Sequence, residues 1–481
     1  MERSDGMESY RRLIDTVKGK RCALLGMGVS NSPLAVLLVR LGVCGSITVY
    51  DKKAPEELGE LAMTLKKKGI EFVSGEDCFD SIDADVIFRS PGIRPDICGI
   101  VKAVERGALL TSEMEMFLET TRANVFAVTG SDGKTTTTTL TGKFLASNGR
   151  AFIGGNIGRP LLDRCHEMER GNAAVLELSS FQLMGMKRSP AFVAITNVTP
   201  NHLDWHTDLE EYARAKFNII GEQTRRVVLN ANDPTTAELG RRLIEEGGRE
   251  VFFFSSTARS YYDVMSEERR DVAVVFAKNG NIYISNGKSN EMLMEVSFIR
   301  LPGKHNLENY MTAMALTYGY VEKGVYAEVA KRFSGVEHRL EPVRRLKGVD
   351  YYNSSIDSSP TRTAAALSAL EGRDVVVICG GYDKNLDYTP LAPVLCKHAR
   401  AVVLTGATAP KIKAALLGYE GYSEKKLKLV EADRFEDAVT QAAALAHTGG
   451  CVLLSPASAS FDRFKSFVER GRYFKKLVNE L

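Results

Sequence analysis

Uninterrupted apolar runs rich in Val, Ile and Leu recur along the chain. They alternate with stretches whose apolar positions return every three or four residues. A continuous apolar run marks a strand buried on both faces, and its alternation with helical periodicity predicts βαβ units and a parallel sheet. The runs at 21–26 (RCALLG), 46–51 (SITVYD) and 84–88 (ADVIF), with a helix over 32–41, form a first block. A second block begins near Ser112. There the run at 123–129 (ANVFAVT) leads into a glycine loop and a threonine-rich helix, and further buried strands are predicted at 173–177, 191–197 and 226–230. Residues 271–296 read as hairpins, with Asn279-Gly280 at a turn. A third block, from Glu337, holds runs at 374–379 (DVVVIC), 401–405 (AVVLT) and 450–455 (GCVLLS). Parallel sheets bind ligands beyond the C-terminal ends of their strands, so chemistry is expected in the segments that follow these runs.

Length supports the same division, since 481 residues correspond to about three domains of ordinary size. The balance of 63 basic and 60 acidic residues leaves a net charge of +3, which fits neither a nucleic-acid coat nor an acidic scaffold. The 8 cysteines are scattered without a Cys-x-x-Cys pair, unlike a secreted disulfide framework. The first twenty positions are polar and charged where a signal peptide needs an apolar core, and no run approaches the ~18 apolar residues of a membrane span. A cytoplasmic setting is expected.

The most specific local pattern is Thr129-Gly130-Ser131-Asp132-Gly133-Lys134-Thr135, between a predicted strand and a predicted helix. Glycines let backbone N–H groups converge on phosphate oxygens, and the helix N-terminus adds partial positive charge. Lys134 can reach terminal phosphates, and the Thr135 hydroxyl suits Mg²⁺. Val128 stands where a general phosphate loop carries its first glycine, so this is a variant. Gly26-Met27-Gly28-Val29-Ser30-Asn31 resembles a dinucleotide loop, with Asp51 placed for a ribose hydroxyl, but Asn31 replaces the third glycine. His202 and His206 are four apart around Asp204, yet the segment lacks the glutamate of an HExxH zinc hydrolase.

The run TGSDGKTT, which includes Thr136, is similar to the ATP loop of the Mur ligases and their folylpolyglutamate synthetase relatives. These enzymes phosphorylate a carboxylate with ATP and join it to an amine. The resemblance implies an α/β fold of three domains. A Rossmann-like domain at 1–112 binds a UDP-sugar, a mostly parallel ATPase domain spans 113–336, and a Rossmann-like domain at 337–481 binds an amino acid. It implies ATP binding by Gly130, Ser131, Asp132, Gly133, Lys134, Thr135, Thr136, Asn306, Asn309 and Arg339. Two Mg²⁺ ions would be held through Thr135, Glu177, His202 and a CO₂-derived carbamate on Lys216. Ser30, Asp51, Ser90, Asn156, Ser179 and Gln182 would meet the UDP-sugar, while Lys134, Glu177, His202, Lys216 and Arg339 would carry the catalysis. A carbamate forms only on a neutral amine, so Lys216 needs a depressed pKa.

The C-terminal segments GGYDKNLDY, with Lys384, and LSPASASFDRFKSFVERG, with Ser460 and Phe467, are the part most similar to members that add D-glutamate to UDP-N-acetylmuramoyl-L-alanine. One motif departs. Where many members have Asp-Ser-Lys-x-Thr-Asn, this chain reads Asn353-Ser354-Ser355-Ile356-Asp357-Ser358, so a cation is lost at 355 and an anion gained at 357. Ser359-Pro360 reads as a helix start, and Arg362 on that helix is the expected replacement cation at the amino-acid site. The expected partners are UDP-N-acetylmuramoyl-L-alanine, D-glutamate and ATP, with neither nucleic acid nor membrane, and the expected state is a monomer. The alternatives are a ligase of the same superfamily with another amino-acid specificity, and a non-catalytic nucleotide-sugar-binding relative.

Overall fold

The computed structural model describes residues 7–202, 205–301 and 303–481, so Asp204 lies outside the described residues. The chain divides into two compact units, one ending at Arg332 and the other beginning at Phe333. Among the described residues the strands form three sheets, two in the first unit and one in the second.

The first sheet holds β1 (Arg21–Leu25), β2 (Ser46–Asp51), β3 (Glu71–Ser74), β4 (Val86–Arg89) and β5 (Leu109–Thr111) in the order β3-β2-β1-β4-β5, all parallel. Its central strands are the expected apolar runs. The short edge strands β3 and β5 are half exposed, which is why no apolar run announces them. Strand order reverses at β1, so the loop after β1 and the end of β4 face each other at a switch point.

The second sheet is built from β6 (Asn124–Thr129), β7 (Ala151–Gly155), β8 (Ala173–Glu177), β9 (Phe192–Ile195), β10 (Arg226–Asn230), β11 (Glu250–Ser255), β12 (Val272–Lys278), β13 (Asn281–Ser285) and β14 (Asn290–Glu295). Their order is β14-β13-β12-β11-β10-β9-β6-β8-β7. Strands β6 to β12 are parallel and largely buried, whereas β13 and β14 add antiparallel hairpins. Asn279 and Gly280 both have positive φ, the conformation a two-residue hairpin turn requires. Strand β6 lies between β9 and β8, which places the phosphate loop at this sheet's switch point.

In the second unit β15 (Glu341–Leu346), β16 (Val349–Asn353), β17 (Val375–Cys379), β18 (Ala399–Leu404), β19 (Lys428–Glu431) and β20 (Cys451–Leu454) take the order β15-β16-β20-β17-β18-β19. All neighbours are parallel except the β15–β16 hairpin. The buried runs of β17, β18 and β20 pack between two apolar layers of helices. Segments 353–358, 380–384 and 455–460 thus leave the sheet at the C-terminal ends of β16, β17 and β20.

Candidate active site

The phosphate loop is held open by its neighbours. Gly130 has φ of 141°, and a Cβ there would stand 1.9 Å from Thr196 Oγ1, so only glycine fits. Gly133, also at positive φ, caps the helix Lys134–Leu145, and a Cβ there would meet Asn309 Oδ1 at 2.3 Å. Ser131 Oγ donates to Thr199 O (2.9 Å), and Asn197 Oδ1 accepts from Asp132 N (2.9 Å). Thr135 is buried and Thr136 partly exposed in the first turn. Lys134 Nζ folds back onto the carbonyls of Gly130 (2.9 Å) and Ser131 (2.8 Å). The helix Lys304–Thr317 lies alongside, where Asn309 Oδ1 accepts from Thr137 Oγ1 (3.3 Å) and Asn309 Nδ2 donates to Asn306 Oδ1 (3.4 Å). The structure therefore joins two segments separated by some 170 positions in sequence.

Glu177 ends β8, in register with Val128 just before the loop, and is 2% exposed. Its Oε1 accepts from Asn156 Nδ2 (2.8 Å), while its buried Oε2 takes no hydrogen bond from the described residues. An orphaned carboxylate oxygen is costly unless something electropositive completes it, and hard cations prefer oxygen donors. The Glu177 carboxylate therefore suits a hard cation such as Mg²⁺.

Lys216, on the helix Leu209–Phe217, is 1% exposed, and its Nζ donates to Gly130 O (2.7 Å) above the Tyr212 ring. Burial, reinforced by the charge of Lys134, lowers its pKa to about 6. The amine is thus largely neutral at pH 7, the condition carbamate formation requires.

The two histidines differ. His202 is exposed, with φ of 55° and its ring edge-on to Phe181. His206 is buried, with Nε2 against Ser180 Oγ (2.9 Å) and Nδ1 against Glu211 Oε2 (3.3 Å). Both ring nitrogens are engaged, so His206 braces the turn. Burial lowers its pKa and favours the neutral ring.

At the first sheet Ser90 Oγ donates to Gly26 O (3.0 Å), and Asp51 Oδ2 accepts from Met27 N (2.7 Å), fixing the loop that leads to Ser30. Asn31, which breaks the glycine pattern, is buried and donates to the carbonyls of Leu25, Gly26 and Phe88, tying β1 to β4. Ser179 and Gln182 form a capping box on the short helix Ser180–Leu183. Ser30 and Gln182 line one small cavity with Arg89.

Arg89 is a residue the sequence reading missed. It is 5% exposed and donates to Ile93 O (2.6 Å), Phe181 O (3.2 Å) and Met184 O (2.8 Å), fastening β4 to the helix that carries Gln182. Arg94 similarly reaches Glu211 (2.8 Å) and lies over the Trp205 ring. Neither sits in a motif, and only the fold shows what they grip. A groove lined by Asn124, Phe192, Arg226 and Glu250 lies at the N-terminal ends of the strands, away from this chemistry.

In the second unit Arg339 is half exposed between His338 and Leu340, both at positive φ. Ser460 is buried, while Phe467 is 37% exposed at the start of the helix Phe467–Glu480. Exposed Lys384 lies over the Phe461 ring at 5.8 Å. Ser359 caps the helix Pro360–Ala369 by position but makes no side-chain cap bond. Arg362 is exposed and donates to Ile356 O (3.2 Å), on the segment before its own helix. Asp357 is buried, and its Oδ2 accepts from Ser455 Oγ (2.8 Å). Burial raises its pKa to about 6.

Comparison with known proteins adds three findings. Residues 128–317 match the Mur ligase middle domain, and residues 338–458 match the Mur ligase glutamate ligase domain. The UDP-N-acetylmuramoylalanine--D-glutamate ligase of Ruminiclostridium cellulolyticum is 43% identical over 469 residues, and that of Acetivibrio thermocellus 42% over 471. Each comparison covers 97% of both chains. Among solved structures, the UDP-N-acetylmuramate-alanine ligase of Thermotoga maritima aligns with a TM-score of 0.52 at 19% identity, over 96% of this chain and 99% of its own. A pseudomurein peptide ligase of Methanothermus fervidus gives the same score at 16%, over the same shares. At such identities the structures establish the fold alone.

Proposed function

The chain belongs to the Mur ligase family, and from that premise we infer that it joins D-glutamate to UDP-N-acetylmuramoyl-L-alanine at the expense of ATP, in peptidoglycan precursor synthesis. The observation that carries the reading is full-length similarity to D-glutamate ligases at 41–43% identity. The site supplies the chemistry such a ligase needs. A carboxylate has no leaving group at neutral pH. Its oxygen attacks the γ-phosphorus of ATP, ADP departs, and an acyl phosphate results. The D-glutamate nitrogen then adds to the acyl carbon, phosphate leaves, and the nitrogen loses its proton as the amide forms.

The protein's part is placement and charge. Loop N–H groups from Gly130 to Thr135 and the helix start bind phosphate oxygens, with Lys134 released from its loop carbonyls to meet the charge. Glu177, Thr135 and His202 are the proposed Mg²⁺ holders, and bound Mg²⁺ would neutralise phosphate charge. Lys216 is the proposed carbamate, supported by its burial and depressed pKa. Asn306 and Asn309 take the adenine side, and Arg339 joins the ATP. Ser30, Asp51, Ser90, Asn156, Ser179 and Gln182 take the UDP-sugar, while Lys384, Ser460, Phe467 and Arg362 take D-glutamate. The stretches 1–112, 113–336 and 337–481 act as the corresponding three domains. No helix among the described residues is long and apolar enough to cross a membrane. We propose that the enzyme works in the cytoplasm as a monomer.

The test is to supply Mg²⁺, ATP and UDP-N-acetylmuramoyl-L-alanine with single amino acids, following phosphate release and product mass. A product with D-glutamate alone is expected. A product with a different amino acid would move the specificity, and none at all despite binding of both nucleotides would refute the ligase.

A further inference from the structure

Ser355, just beyond β16, meets a cation delivered from elsewhere in the chain. Arg470, on the helix Phe467–Glu480, is 2% exposed. Its Nε donates to Ser355 Oγ (3.0 Å) and its Nη2 to Ser355 O (2.9 Å) and Ser458 O (3.1 Å). Its Nη1 donates to Ala459 O (2.9 Å). All four acceptors are neutral, and the charges of Asp357 and Asp462 act on it only at longer range. A buried guanidinium without a bonded carboxylate is costly to desolvate, and an apolar side chain would serve packing better. What arginine alone supplies is a rigid fork that fixes several acceptors at once.

Those acceptors belong to the amino-acid site. Ala459 O also accepts from Tyr382 N (2.9 Å), so the loop leading to Lys384 hangs on the same atom. A Cβ on Gly381 would stand 2.2 Å from that oxygen, which leaves no room for a side chain at the junction. Ser355 Oγ donates onward to Phe467 O (2.8 Å), reaching the first residue of the helix. Arg362, by contrast, stays exposed with its hydrogen bond on Ile356 O.

We propose that Arg470 is a positioning residue of the amino-acid site: its guanidinium fastens the Ser458–Ser460 loop, the Lys384 loop and, through Ser355, the Phe467 helix start into one rigid frame. The proposal rests on the D-glutamate reading above, because it assigns that frame to recognition of the incoming amino acid. It implies that disturbing the fork loosens the contacts to the amino acid while leaving those to ATP and the UDP-sugar intact.

The test compares the full-length wild type with Arg470→Lys and Ser355→Ala, measuring KM for each of the three substrates alongside thermal unfolding. Wild-type product with D-glutamate is established first. If another amino acid is ligated instead, the specificity reading fails, and the KM comparison is made with that amino acid. Arg470→Lys keeps charge without the fork and is expected to raise the amino-acid KM about tenfold or more. Ser355→Ala removes only the hydroxyl link and is expected to raise it about threefold, since one hydrogen bond is lost. KM for ATP and UDP-N-acetylmuramoyl-L-alanine should stay within about twofold in both. An unchanged amino-acid KM in the folded variants, or all three KM values rising together, overturns the proposal. If Arg470→Lys does not fold, Ser355→Ala decides.

Discussion

Lys216→Met exchanges a buried amine for an apolar chain of similar length, and its consequence depends on pH. In the folded protein the lysine pKa is lowered from 10.5 to about 6, mainly by burial. Between those values the unfolded chain carries a proton that the folded chain does not, so wild-type stability rises with pH across the window. Below pH 6 the whole deficit is present, on the order of 6 kcal/mol at about 1.4 kcal/mol per pH unit. From pH 6.5 to 8.5 the wild type should gain roughly 2 to 3 kcal/mol that a methionine variant cannot gain. The substitution orphans nothing, because Gly130 O also accepts from Lys134 Nζ at 2.9 Å. The variant is thus expected to be the more stable protein at pH 6.5, by a margin that shrinks toward pH 8.5, and an inactive ligase. Urea unfolding at three pH values in CO₂-free buffer measures the margin, since titrations common to both proteins cancel. Parallel stability curves, or a variant that loses stability throughout, would show that the amine is charged and paired and would refute the reasoning.

Glu177→Gln keeps an acceptor for Asn156 but removes the charge at the orphaned oxygen. Ligation should fall about a hundredfold or more with half-saturation by Mg²⁺ moved upward, and an unchanged Mg²⁺ titration would remove Glu177 from the metal site. Gly130→Ala drives a Cβ to 1.9 Å from Thr196 Oγ1 at φ of 141°. A loss of more than about 2 kcal/mol is expected, against about 1 kcal/mol for Gly280→Ala, whose Cβ would meet nothing within 4 Å; calorimetry ranks the two. Trp205 is the sole tryptophan and packs under Arg94, so Arg94→Ala should shift its emission in the free protein; identical spectra would contradict the stacking.

Much of the fold was legible because its strands are buried on both faces. Sequences such as VVLN at 227–230 and VVVIC at 375–379 admit few other readings, and the glycines of the phosphate loop are dictated by backbone sterics. The edge strands β3, β5 and β19 were not legible, since strands with one open side carry mixed residues. The arginines Arg89 and Arg470 were invisible for another reason. A lone arginine in a helix or at a strand end reads as surface charge, and nothing local tells that its guanidinium will be buried against carbonyls of distant segments.

The sequence by itself determined the order of the buried strands, the phosphate loop and the chemical types of the candidate ligands, because these depend on local periodicity and backbone geometry. Tertiary structure alone decided which side chains share an environment. It placed Asn309 against Gly133, left one oxygen of Glu177 unsatisfied, buried Lys216 until its amine is largely neutral, and delivered Arg470 to Ser355 from 115 positions away. Solvation and hydrogen-bond satisfaction are properties of the space around a group, and that space exists only once distant segments have packed.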